Sequence, residues 1–429
     1  MMIGMVSMVA FNLADTFFVG QLGTVQLAAI SFTFPVVMVV GSISMGLGVG
    51  ASAVISRAIG AGNQEKVVRL TTDALILAFI VVSLFAFTGL ATIEPLFRAI
   101  GASNRLLPLI KSYMTIWYLG VPFVVIPMVG NNAIRATGDT KTPSMIMMTA
   151  VAINIVMDPL LIFGLGPFPR MELAGAALAT VFGRALTFIL SLWILRKREK
   201  MISFKLPPFS SILESWRDIL YIGVPAAGTN LITPVSMAVI TRLVATFGAE
   251  AVAAFGVATR VEMFALTILM ALGSVLTPFV GQNQGARKIE RIKTGVRYSQ
   301  LFSLGWGVFL FGLFLVGASA IAAVFNDHPE VVSMTTRYLR IIALSYGLQG
   351  VLMLSSSALN ALRKPLVSAF LALLRMVVLY VPLAMVGSRL FELNGIFYAG
   401  FLANVIAGAA AFFLLRKEMT ASPAQSHII

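Results

Sequence analysis

TTDALILAFIVVSLFAFTGLATIE, residues 71–94, carries no charged side chain from Ala74 to Ile93. Twenty such residues, wound at about 1.5 Å each, cross the roughly 30 Å hydrocarbon core of a bilayer. Lipid offers no partner to backbone N–H and C=O groups, so such a span must be helical. Comparable runs recur along all 429 residues; 59% of the side chains are hydrophobic and 11% charged, with a mean hydropathy of +0.94. A soluble chain is about half apolar and about a quarter charged, so a soluble enzyme and a disordered chain are both excluded. An outer-membrane barrel is excluded as well, because its strands of about 10 alternating residues do not occur.

Outward from 71–94, the apolar runs predict an all-α polytopic membrane protein with twelve transmembrane helices. The spans are 1–22, 26–54, 71–94, 112–134, 143–166, 173–195, 219–247, 251–281, 298–325, 337–361, 365–388 and 394–415. Of the 31 Lys and Arg residues, 20 fall after even-numbered spans or in the C-terminal tail. By the positive-inside rule this places both termini in the cytoplasm. The segment 196–218 opens with a basic run and holds a Pro-Pro pair and several serines. It reads as a cytoplasmic linker between a six-helix bundle at 1–195 and a second at 219–415, with a cytoplasmic tail at 416–429. The net charge of +14 sits between spans, where it sets topology beside anionic lipid and does not call for nucleic acid.

Absences narrow the chemistry. There is no cysteine, the two histidines are His328 and His427, and no GxxxxGK[ST] loop occurs. Thiolate and histidine metal sites are excluded, no cofactor is expected, and an ion gradient or a partner must supply any driving force.

The two halves repeat. At an offset of 225, Gly23, Gly60, Glu65, Tyr113, Ala133 and Ala136 match Gly248, Gly285, Glu290, Tyr338, Ala358 and Ala361. Pro159 and Gly164 match Pro382 and Gly387 at 223, and Glu172, Leu173 and Gly175 match Glu392, Leu393 and Gly395 at 220. An even number of spans per half makes the repeats parallel, about an axis along the membrane normal; in transporters such halves enclose a central cavity. Pro225 maps to the position before Met1, so the first span is expected to begin upstream of the given sequence.

Ionisable groups within spans are costly and mark function by default. Asp158 follows Asn154 by one helical turn and precedes Pro159, which frees a backbone carbonyl near residue 155. Asp15 follows Asn12 by three residues, and Asn131 ends span four. Burial and mutual repulsion favour a proton on at least one of the two aspartates, and the same oxygen-rich group suits Na⁺ at Asp15, Asn154 and Asp158. The repeat is an internal control. Asp15, Asn131, Asn154 and Asp158 fall opposite Ile240, Ser356, Val377 and Val381, so the fold does not demand the cluster and ion coupling belongs to the N-terminal half. Arg184, Glu262 and Arg375 also lie within spans. Glu262 and Arg375 read as a neutralising ion pair of the C-terminal half or, alternatively, as groups lining the cavity, and GSISMGLGVGAS at 41–52 reads as a close helix contact.

In this order, NLADTFFVGQLG (12–23), ISRAIGAGNQEKV (55–67), NNAIRATGDTKTP (131–143), NIVMDPLLIFGLG (154–166), ELAGAALAT (172–180) and RVEMFALTILMALGSVLTPFVGQNQGA (260–286) resemble the multidrug and toxic compound extrusion (MATE) transporters over essentially the whole chain. The resemblance is greatest to the prokaryotic DinF-like branch. It implies two six-helix bundles around a central cavity and an antiporter of the plasma (inner) membrane that exports amphipathic or cationic compounds in exchange for H⁺ or Na⁺. By resemblance the cation-coupling residues are Asp15, Asp158, Asn154, Asn131 and Thr180, with Asp15, Asn154 and Asp158 also binding substrate. The expected partners are small-molecule substrates and membrane lipids, with the chain a monomer. The helix-seven glutamate of the NorM-like branch is missing from the neighbourhood of Asn230 to Thr233, which argues against a Na⁺ site in the C-terminal half. The alternative is a lipid-linked precursor flippase of related architecture, which calls for a cavity richer in basic residues.

Overall fold

The computed structural model describes residue 4, residues 17–203 and residues 208–421. The first expected span lies outside these residues apart from Gly4 and a helical turn over 17–20, as do tail residues 422–429. The helices are α1 (Thr24–Gly60), α2 (Gln64–Ala99), α3 (Leu107–Gly120), α4 (Pro122–Ala136), α5 (Lys141–Phe163), α6 (Glu172–Trp193), α7 (Phe209–Ala245), α8 (Ala249–Gly285), α9 (Ile289–Phe325), α10 (Pro329–Ala343), α11 (Tyr346–Ala361), α12 (Pro365–Leu373) and α13 (Val381–Ala421). Short π-helical turns follow α6 (Ile194–Arg198) and α12 (Leu374–Tyr380). No strand occurs among the described residues.

Eight helical stretches are long and apolar enough to cross a membrane alone, and two bent pairs, α3–α4 and α10–α11, add two more. One of the eight, Pro365–Thr420, holds two spans. Phe391 and Glu392 leave helical backbone within it, and a Cβ built on Gly387 would lie 2.5 Å from the Gly395 carbonyl oxygen. Eight positions along a straight helix would stand about 12 Å apart, so the chain folds back there. The described residues therefore hold eleven spans, matching the second to the twelfth expected from sequence.

Two compact units divide the chain, Met1–Ala227 and Gly228–Ile429. The division falls inside α7, beyond the expected linker, because α7 starts at Phe209 and its first half is bound to the N-terminal unit. The Trp216 Nε1 donates to the Asp73 carbonyl (3.0 Å), Ser203 N donates to Thr72 Oγ1 (3.1 Å), and the Arg69 guanidinium donates to the Ser211 carbonyl. Gly46 and Gly50 admit α7 closely: a Cβ on Gly46 would lie 2.8 Å from Ala227 N, and one on Gly50 3.1 Å from Gly223 N. This is the close contact expected of the glycine-rich 41–52.

The duplication is written into the backbone. Left-handed φ values occur at Gly23, Gly62, Gly138 and Glu172, and again at Gly248, Arg287, Arg363 and Glu392, the same offsets as the sequence matches. The turn after α1 bonds Ala61, Gly62 and Asn63 N–H to Arg57, Ile59 and Ala58 carbonyls; the turn after α8 bonds Ala286, Arg287 and Lys288 to Gln282, Gln284 and Asn283. The bends also correspond, at 41° between α3 and α4 and 58° between α10 and α11.

The GDTKTP turn that opens α5 is held by one carboxylate. Asp139 Oδ1 accepts from Lys141 N (2.9 Å) and Thr142 N (3.0 Å), and Arg198 Nη2 donates to Oδ2 at 2.9 Å. Burial alone would raise the Asp139 carboxyl, but the Thr142 and Lys141 hydrogen bonds and the Arg198 charge hold it below the usual carboxylate range.

Two outcomes are expected. Left-handed backbone costs a residue with a Cβ about 1–2 kcal/mol, and glycine's extra freedom when unfolded offsets up to about 1. Arg287→Gly should therefore stabilise by about 0.5–1 kcal/mol and Gly62→Ala should destabilise by a similar amount, read as opposite shifts in thermal unfolding in detergent. Asp139→Asn should destabilise at neutral pH. Because the folded carboxyl lies below its unfolded value of about 3.9, the wild-type advantage is complete above that value and vanishes as pH falls through the folded one.

Candidate functional site

The α5–α6 pair is built for close approach. Gly183 on α6 has no side chain where a Cβ would lie 3.3 Å from the Ala150 carbonyl, and α5 runs unbroken through Pro159 to a left-handed cap at Gly164. Pro159 has no N–H to offer the carbonyl four residues back. Asn154 and Asp158, a turn apart on α5, are 1% and 0% exposed. Asn154 Nδ2 donates to Asp158 Oδ1 (3.3 Å) and, more weakly, to Thr180 Oγ1 on α6 (3.5 Å).

Asn154, Thr180 and Arg184 line a small cleft between the two helices, whose remaining wall is Met147, Ala150, Val151 and Gly183. The Asn154 Oδ1 is buried without a hydrogen-bond partner. A buried carbonyl oxygen left unmet is unfavourable, and beside a carboxylate it suits a hard cation or a water molecule. Three of the expected coupling residues, Asn154, Asp158 and Thr180, are thus brought together. Asn131, on α4, is buried with its Oδ1 also unmet, and no hydrogen bond joins it to that group. Asp15 and Asn12 lie outside the described residues.

The C-terminal unit holds a second polar group. Glu262 on α8 accepts from Tyr338 Oη of α10 (2.7 Å, at Oε2) and from Gln349 Nε2 of α11 (3.2 Å, at Oε1). Asn404 Nδ2 donates to Gln349 Oε1 (3.1 Å) and to Ser345 Oγ (3.0 Å). Arg375 lies on the π turn and acts on Glu262 electrostatically, without the direct ion pair expected from sequence. The tyrosine hydroxyl and the Gln349 amide fill the carboxylate's front. Gln349, Asn404 and Ser345 were not singled out in the sequence; the available signal was uncharged polar side chains inside otherwise apolar spans.

With these sites in view, the comparisons with known proteins become specific. The MatE family model matches residues 1–160 and again 225–386, one match for each half of the repeat. An FAD transporter of Shewanella oneidensis is 40% identical over 416 residues, covering 97% of this chain and 92% of that protein. The multidrug export protein MepA of Staphylococcus haemolyticus is 26% identical over 99% of this chain and 93% of its own length. The crystal structure of the Vibrio cholerae MATE transporter VcmN in the bent form superposes with a TM-score of 0.92 at 31% identity, covering 98% of this chain and 94% of that one. The chain is a polytopic membrane transporter and not an enzyme. It belongs to the MATE family.

Proposed function

We propose that the chain is a secondary antiporter of the plasma membrane that exports amphipathic organic compounds in exchange for H⁺ or Na⁺, coupled through Asp15 and Asp158. The observation that carries this reading is the group of Asn154, Asp158 and Thr180 at the cleft, with an unmet amide oxygen beside a carboxylate deep within a span. The repeat supports it, since the second half has no such group at the matching positions. In the cycle, a cation bound at Asp158 or Asp15 weakens cargo binding on one side of the membrane, and its release restores binding on the other. Only such differential affinity drives exchange. Both termini lie in the cytoplasm on the distribution of basic residues, and the chain acts as a monomer.

A second reading concerns the cargo. A relative 40% identical over nearly the whole chain is named an FAD transporter, and Arg184 stands in the wall of the cleft with Asn154 and Thr180. A guanidinium suits a phosphate-bearing aromatic compound better than a cationic one. Flavin adenine dinucleotide is therefore the cargo to set against a lipophilic cationic dye.

Proteoliposomes loaded with either compound, under an imposed pH or Na⁺ gradient, test both readings. The wild type should export at least one of the two compounds only when a gradient is present. Asp158→Asn should lose about tenfold or more of that coupled flux, roughly 1.4 kcal/mol in barrier terms, while reconstituting at the wild-type level. Undiminished gradient-driven export by Asp158→Asn would defeat the coupling assignment, and export of the dye but not of the dinucleotide would defeat the second reading.

A further inference from the structure

We propose that Glu262 is a proton-binding site of the C-terminal unit whose charge state sets the bend between α10 and α11. This goes beyond the coupling group on α5 and does not depend on it.

The geometry is that of one carboxylate shared by the two arms of a broken span. Oε2 is held by Tyr338 on α10 and Oε1 by Gln349 on α11, and the 58° bend lies between them. The network closes on the bend itself. Asn404 fixes the Gln349 carbonyl oxygen and donates to Ser345 Oγ, and Ser345 in turn donates to the Ile342 carbonyl (2.7 Å). Because Gln349 Oε1 already accepts from Asn404, its amide N–H₂ is committed to donating toward Glu262.

An ionised carboxylate accepts from both arms at once. Once protonated, it gains an O–H that must donate, yet both of its neighbours in the network are donors. Both contacts then lose their charge assistance and weaken, and the carboxyl hydrogen needs an acceptor. Tyr346, the first residue of α11, supplies a candidate: its hydroxyl is buried without a partner and feels the Glu262 charge. The other titratable and charged groups coupled to Glu262 are Tyr338 on α10 and Tyr380 and Arg375 on the π turn. From α9, Trp306 meets this stretch of α8 by donating to the Ala265 carbonyl (3.0 Å).

Two further observations separate this from a purely structural tie. Glu262 is half-buried, not sealed within the packing of the C-terminal unit. The repeat keeps Tyr338 as Tyr113, but at the same offset of 225 Glu262 and Gln349 fall opposite Val37 and Val124. The bent span thus forms in the first half without the acid, and π-helical turns such as the one bearing Arg375 occur frequently at functional sites.

The absence of native cysteines allows spin labels at Ser333→Cys on α10 and Leu366→Cys just beyond α11, both exposed positions. In lipid nanodiscs, lowering pH from about 7 to about 4, through the ordinary carboxylate range, should shift the distance between the labels by about 2 Å or more. Glu262→Gln should give the low-pH distance at both values, and Tyr338→Phe should reduce the shift. Infrared difference spectra should show a protonated-carboxyl band that Glu262→Gln removes. The same shift must survive in Asp158→Asn. A shift that persists in Glu262→Gln, one that disappears in Asp158→Asn, or a wild type with neither shift nor band would overturn the proposal.

Discussion

A peptide group in hydrocarbon must find its partner inside the protein, because an unmet N–H or C=O there costs several kcal/mol. That requirement makes every described span a helix, and it also determines where side-chain chemistry gathers. At three places where the helical ladder is incomplete, a polar side chain stands nearby. Pro159 leaves a carbonyl without its donor next to Asn154 and Asp158. At the α10–α11 bend, Ser345 and Asn404 hydrogen-bond across the break. At the start of α5, Asp139 takes up two free N–H groups. At these three places polar residues stand where the backbone would otherwise be short of partners.

Duplication supplies the second organising fact. What the halves share is backbone: the same left-handed turns, the same turn hydrogen bonds and the same bent fourth span. Glycine fills the turn after α1 and the turn after α4, whereas Arg287 and Arg363 occupy the matching places. The left-handed conformation is therefore imposed by the turn and is not chosen for the residue in it. Side-chain chemistry has diverged freely around this common frame. The N-terminal unit carries a carboxylate on its fifth span, the C-terminal unit carries one on its second, and neither has a counterpart in the other half.

The number and order of spans were legible because hydrophobic length is a one-dimensional property. The Asn154–Asp158 pair was legible for a similar reason: residues a turn apart share a helix face wherever the helix sits. Thr180 joined them only through family resemblance, since its contact crosses from α6 to α5. The Glu262 network was half legible. The charge was conspicuous in an apolar span, but its partners come from three other helices, and the opposite charge at Arg375 drew the eye to an ion pair that the geometry does not make. The start of α7 was misplaced by ten residues because the polar stretch 209–218 is tied to α2, with Trp216 and Arg69 holding it. Local composition carries no record of such contacts.

The two carboxylates differ in one physical respect that bears on how a transporter divides its tasks. Asn154, on the same helix, donates to Asp158, and that amide also reaches the neighbouring helix, with which α5 makes its most extensive contact. Glu262 receives its hydrogen bonds from two helices that meet at a bend. Hydrogen bonds to an ionised group are about twice as strong as neutral ones, so a change of charge at Glu262 alters the balance between two arms that are free to differ. A carboxylate tied to both sides of a bend sets its charge where two helical arms meet, the position from which a change of charge would act on the angle between them.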